Sequence, residues 1–230
     1  MWLWDPVYFI FALPALLLAL YAQLKVQTAY SHYARIRNRL GVEGFRVADI
    51  LLKRNGLYGV TVGETPGTLT DHYDPRTKAL RLSAEVARLP SVASLGIVAH
   101  EVGHALQDAE NYFPLKIRAG LVPMVNISSW LGPIFFFAGW LLNILDLAAL
   151  GLILFSFGAV FALVTLPVEF NASRRALRIL QDAGLVSREE LKGVKSVLSA
   201  ASLTYVAALA QAISTLLYYI FLLTGLRSEE

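Results

Sequence analysis

The sequence predicts a mainly α-helical integral membrane protein with four transmembrane helices and a small α+β portion. Three observations carry that prediction. Hydrophobic residues fill 56% of the 230 positions and the mean hydropathy is +0.55, above what a soluble domain of this length carries. The apolar residues gather into runs long enough to cross a bilayer. Between the first run and the others, residues 58 to 83 change to a two-residue period, the mark of short strands. Cysteine is absent, which excludes disulfides and thiolate ligands and leaves His, Asp and Glu for any metal. A pI near 9.2 would suit nucleic acid, but 20 basic residues stand against 17 acidic ones. The basic residues track the membrane instead, so no nucleic-acid partner is expected.

The first crossing is expected at about 3–24, with Trp2, Trp4 and Tyr8 at headgroup level. A cleaved signal peptide fits less well, because no Lys or Arg precedes the apolar run and no small-x-small site follows it. The helix is expected to leave the membrane through Lys25, Arg35, Arg37 and Arg39 until Gly41 stops it, with His32 a juxtamembrane surface residue. A short helix follows at Glu43 to Arg54, closed by Asn55-Gly56. Val60 to Val62, Thr68 to Tyr73 and Ala79 to Leu82 alternate as strands, with Pro66-Gly67 and Asp74-Pro75-Arg76 as turns. Ser83 and Ser91 suit the N-caps of a short linking helix and of a longer helix beyond Pro90.

From Leu121 to Phe170 the chain is almost continuously apolar, too long for one crossing and right for two. Asn143 and Asp146 locate a hairpin between crossings at about 124–143 and 147–167, and Asp146 reads as a solvated turn residue. Gly132-Pro133 is expected to kink the first of these. Beyond Glu169 the sequence is polar and helical as far as Gly184. Ser187-Arg188-Glu189-Glu190 is a capping box opening the last helix, soluble at first and a crossing at about 200–223. Of the 20 Lys and Arg, thirteen fall in 25–120 and six in 168–199, with Arg227 the last. Those two segments therefore belong on the cytoplasmic face of the cell membrane, and both termini outside. The triplets Asn126-Ile127-Ser128 and Asn171-Ala172-Ser173, in or beside the membrane, read as accidental glycosylation motifs.

The chemistry is concentrated in His100-Glu101-Val102-Gly103-His104. Two histidines four apart lie one helical turn apart on one face and can share a metal ion, with Glu101 beside it. This is the arrangement in which two imidazoles hold Zn2+ and the glutamate, itself no ligand, takes a proton from a water. Histidine occurs four times in the chain, so two at this spacing around a glutamate are hard to assign to chance. A catalytic zinc takes a third protein ligand, and Glu169 is the best candidate, since it lies where the third crossing emerges on the side of His100. Asp108 and Glu110 follow on the motif's own helix and point away from the histidine face or lie too far along it.

His100-Glu101-Val102-Gly103-His104-Ala105-Leu106-Gln107, with Asp71-His72-Tyr73-Asp74-Pro75-Arg76 upstream and Val168-Glu169-Phe170-Asn171-Ala172-Ser173 downstream, resemble the YugP-like membrane zinc metallopeptidases over nearly the whole chain. More distantly the chain is similar to the HtpX heat-shock proteases and the CAAX prenyl proteases. The resemblance implies a zincin-like catalytic portion at about 25–120 and 168–199 within a single membrane-embedded metallopeptidase domain, 1–230. It implies His100, His104 and Glu169 as zinc ligands and Glu101 as catalytic base. Many enzymes of this kind carry Asp four residues after the glutamate ligand, orienting a zinc histidine; here that position is Ser173. His72 and Tyr73 are candidate donors to the tetrahedral oxyanion, and strand alternation lets one of them face the cleft. The expected function is a membrane zinc endopeptidase acting on protein or peptide. The alternatives are a non-catalytic zinc-binding membrane scaffold or transporter component and a site-2-type intramembrane protease. An aspartate-glycine ligand motif in a crossing, which the last would need, does not appear.

Overall fold

The structure is a computed structural model and describes residues 6–227. Trp2 and Trp4, expected at headgroup level, lie outside the described residues. Helix α1 spans Pro6–Tyr33, α2 Gly44–Arg54, strand β1 Thr61–Thr65, β2 His72–Asp74, β3 Ala79–Ser83, α3 Ala84–Arg88, α4 Val92–Ala109, α5 Phe113–Leu141, α6 Leu145–Asp182 and α7 Arg188–Arg227. Four of these helices, α1, α5, α6 and α7, are long and apolar enough to cross a membrane, and the sheet has three strands. The fold is the mainly helical membrane protein with a small α+β portion that composition predicts.

The chain divides into two compact units. One takes the described residues up to Ala22, Lys116–Pro167 and those from Thr204 on. Its helices meet through small residues. A Cβ on Gly139 would stand 2.2 Å from the Ala148 nitrogen, and one on Gly151 2.2 Å from the Phe136 nitrogen, so glycine is what lets the α5 and α6 backbones touch. Phe136 stacks on Tyr219 of α7, ring centroids 4.3 Å apart, and Ser214 of α7 donates to the Phe11 carbonyl of α1. Asn143 turns the α5–α6 hairpin because it takes a left-handed φ of 53°. That conformation lets the Ile144 amide close on the Gly139 carbonyl and the Asn143 amide approach Trp140. The same closure ends α2, α4 and α6 at Gly56, Asn111 and Gly184. Asp146 is exposed in the first turn of α6, where a negative charge suits the helix N-terminus.

The other unit comprises Gln23–Leu115 and Val168–Leu203. Its core is built around α4, whose residues from Val92 to Ala99 are all buried. Leu51 of α2, Leu80 and Leu82 of β3, Val86 of α3, Leu180 of α6 and Val194 of α7 belong to the same cluster. The sheet order is β1-β3-β2, with β1 parallel and β2 antiparallel to β3. Ser91 caps α4, accepting the Ser94 amide, and Ser187 and Glu190 close the expected capping box at α7 in both directions.

Three local expectations are corrected. The first helix ends at Tyr33 instead of running to Gly41, because Arg37 forms a β-bridge with Ser91 and the Asn38 side chain holds the Val42 backbone through both its N–H and its carbonyl. The strand expected from Thr68 shrinks to His72–Asp74, since Leu69 takes a φ of 56° and the Thr70 hydroxyl closes a turn on the Pro66 carbonyl. Ser83 precedes α3 but makes no side-chain cap; its amide and hydroxyl both donate to the Asp71 carboxylate.

Candidate metal centre

Helix α4 places His100 and His104 one turn apart, ring centroids 4.8 Å from each other and planes at 89°. Glu169 comes from α6, two residues past Pro167. Its Oε2 lies 3.2 Å from His100 Nε2 and 3.5 Å from His104 Nε2. The three ligand atoms fall within 4.8 Å of one another. Tetrahedral zinc with bonds near 2.0–2.1 Å separates its ligand atoms by roughly 3.3 Å, so this nitrogen–oxygen spacing and donor chemistry fit zinc. Two imidazoles and one carboxylate also leave a coordination position open, as catalytic zinc sites do.

What permits this convergence is Gly103. A Cβ there would come 2.7 Å from the Ala172 carbonyl oxygen of α6, so a larger residue would hold Glu169's helix away from the histidines. The cluster is electrostatically tight. Burial pushes the Glu169 carboxyl up, but the hydrogen bonds and positive potential of His100 and His104 outweigh it and hold it well below the usual carboxylate range. Burial likewise pushes the His104 imidazole down, yet its bond to Glu169 and the charges of Glu101 and Glu169 leave it raised. Glu169 is therefore kept as the carboxylate, the form that binds a divalent cation. Glu101 is buried beside His100 on α4.

Each imidazole is held from behind through Nδ1. His100 Nδ1 lies 3.2 Å from the Ser173 hydroxyl, and His104 Nδ1 lies 3.0 Å from Gln107 Oε1. Ser173, four residues past Glu169, thus stands behind a histidine of the site. Gln107 closes the motif read from the sequence but was given no role there, although its i+3 spacing from His104 was the signal that could have assigned one. Asp71 likewise stands in the upstream motif with no role assigned from the sequence. Burial pushes its carboxyl up against the lowering effect of the Ser83 hydrogen bonds, and the charge of Glu101 adds to the rise.

The two oxyanion candidates fall on opposite faces of β2. His72 pairs with exposed Arg81 and is itself exposed, its Nδ1 2.8 Å from the Thr70 carbonyl. Tyr73 pairs with buried Leu80, and its hydroxyl donates to Asp108 of α4 at 2.7 Å. Burial and Asp108 push that hydroxyl's pKa up. Asp108 also binds Lys78, and Glu110 pairs with Arg175, so both acids of late α4 are engaged away from the histidines. His32 is exposed at the end of α1.

The family model described as "Putative neutral zinc metallopeptidase" matches residues 8–224. The chain belongs to that family. The family match therefore spans His100, His104 and Glu169 together with the helices that hold them. Among relatives, the chain is 44% identical over 223 residues to the "Putative membrane protease YugP" of Bacillus subtilis (strain 168), an alignment covering 96% of this chain and 99% of that protein. No solved structure matches.

Proposed function

We propose that this member of the family is an integral-membrane zinc endopeptidase that hydrolyses peptide bonds at the cytoplasmic face of the membrane, the whole chain acting as one metallopeptidase domain. His100, His104 and Glu169 hold the metal, and Glu101 is the general base. The observation that carries the reading is the meeting of both histidine Nε2 atoms on one Glu169 oxygen, with Glu101 buried alongside. The face is assigned from the basic residues, nearly all of which lie in 25–120 and 168–199.

Zinc, when bound, supplies a Lewis acid that polarises a carbonyl and lowers the pKa of a water. The chain's own residues do the rest. The Glu101 carboxylate accepts a proton from the attacking water as its oxygen bonds to the scissile carbonyl carbon. The same carboxyl then gives that proton to the leaving nitrogen as the C–N bond breaks, yielding a carboxylic acid and an amine, between which the remaining acidic proton then passes to give carboxylate and ammonium. The oxyanion that forms between these steps needs a donor. Of the two candidates Tyr73 is the better placed, being on the α4 side of β2, and its hydroxyl would exchange Asp108 for substrate.

The deciding experiment is Glu101→Gln, with metal content and proteolysis measured on the same purified samples. The amide is nearly isosteric and leaves the three ligands in place, so zinc should stay while cleavage falls roughly 100- to 10,000-fold. Undiminished cleavage by the zinc-loaded variant would remove Glu101 from this role. Cleavage insensitive to chelators would remove the enzyme class, and a zinc-binding scaffold without catalysis would show no cleavage in the wild type.

A further inference from the structure

His104 is backed by a chain of side chains whose polarity can be read without ambiguity. Gln107 is fully buried. One of its terminal atoms lies 2.8 Å from the Val168 main-chain carbonyl, which can only accept, so that atom must be the amide nitrogen. The same nitrogen donates to Asn171 at 3.0 Å. The Asn171 atom concerned also lies 2.7 Å from Arg175 Nε, which can only donate, so it is the Asn171 oxygen. Arg175 is in turn held by Glu110 through two bonds of 2.7 Å, one to each carboxylate oxygen. Every link is then directional, and the atom left facing His104 Nδ1 is the Gln107 carbonyl oxygen, an acceptor only. A neutral His104 that keeps this bond therefore carries its hydrogen on Nδ1, and its Nε2 lone pair is left on the side where the three ligand atoms converge and a cation would stand between it and Glu169. His100 has no such instruction, because the Ser173 hydroxyl behind it can either donate or accept.

We infer that Gln107 is a positioning residue that fixes His104 as the Nδ1–H tautomer, and that Asn171, Arg175 and Glu110 lock the glutamine in the orientation that does so. This rests on the reading of His104 as a metal ligand. The site is thus prepared asymmetrically, with one imidazole preset for the metal and the other free to adapt. Partners of this kind are worth about 10- to 100-fold in metal affinity.

The test uses the full chain in detergent micelles with nitrogen-15 histidine. Four histidines give four pairs of ring-nitrogen signals, and the His104 pair is assigned by its loss in His104→Gln. In metal-free wild type, at a pH alkaline enough to neutralise the ring, His104 should carry its proton on Nδ1. Gln107→Met keeps the volume without polar atoms, and should give a mixture of tautomers and a zinc affinity about 10- to 100-fold lower in competition with a chromophoric chelator. Arg175→Met touches no histidine and should lower zinc affinity in the same direction, by less than about 10-fold. A neutral His104 protonated on Nε2 in the wild type would overturn the inference. So would wild-type tautomer and zinc affinity in folded Gln107→Met. If that variant does not fold, unchanged affinity in Arg175→Met overturns the lock. Failure of the wild type to bind zinc would sink the metallopeptidase reading instead, while the tautomer in the metal-free protein still decides this one.

Discussion

Glu169 is the residue on which the candidate site turns, because it brings the carboxylate to two imidazoles from a distant part of the chain. Glu169→Ala should therefore remove most bound metal, as should His100→Ala, whereas His72→Ala and His32→Ala should leave metal content unchanged by elemental analysis of purified protein. Asp71 gives a different kind of prediction. Burial lifts its carboxyl above the ordinary 3.8, so the folded chain keeps this proton at pH values where the unfolded chain has lost it. Stability must then fall as pH rises from 3.8 through the raised value. Asp71→Asn carries no titrating proton and can still accept from the Ser83 amide, so its thermal unfolding should show a flatter pH dependence over that window. Asp71→Ala should be less stable than Asp71→Asn by about 1–3 kcal/mol, since the Ser83 amide loses its acceptor. The histidine motif was legible because metal chemistry demands a particular residue type at a particular helical spacing. The roles of Asp71 and Gln107, both part of the motifs, were not, because a buried carboxylate or amide is recognised by the neighbours that folding brings to it.

At the scale of elements, the contact between α4 and α6 is made by backbone as much as by side chains. Gly103→Ala would put a methyl 2.7 Å from the Ala172 carbonyl, and should cost about 1–3 kcal/mol of stability by thermal unfolding and weaken zinc binding together. A variant that lost stability but held zinc as tightly as the wild type would show that the helices separate without moving Glu169. The helices themselves were readable, and for a physical reason: runs long enough for a bilayer, a capping box at Ser187, and stops at Gly56, Asn143 and Gly184 all encode their limits locally. The limits that failed were set by long-range partners. Tyr33 ends α1 because residues 36–38 pair with the strand-like segment before α4, some fifty residues on, and no local pattern announces that bridge. The strand at Thr68 was shortened by a turn conformation at Leu69, a residue type that rarely adopts it.

For the molecule as a whole, the orientation proposed from charge is open to direct test. The chain has no cysteine, so each one introduced is unique. Cysteines at Arg76 and Arg188 should be protected from an impermeant thiol reagent in intact cells, while one at Leu142, exposed at the α5–α6 turn, should react. Labelling at Arg76 with protection at Leu142 would invert the topology. The order of the ligands along the chain bears on how the protein comes into being. His100 and Glu169 are 69 residues apart, and the intervening stretch includes the whole of α5. At about 5–20 residues per second, a ribosome that has just made His100 needs roughly 3–14 s more to reach Glu169. Throughout that interval the two histidines can collect a metal only weakly, and the full set forms after the α5–α6 hairpin has been synthesised. Synthesis order thus acts as a timer, holding the candidate metal site incomplete until α5 and the first part of α6 have been made.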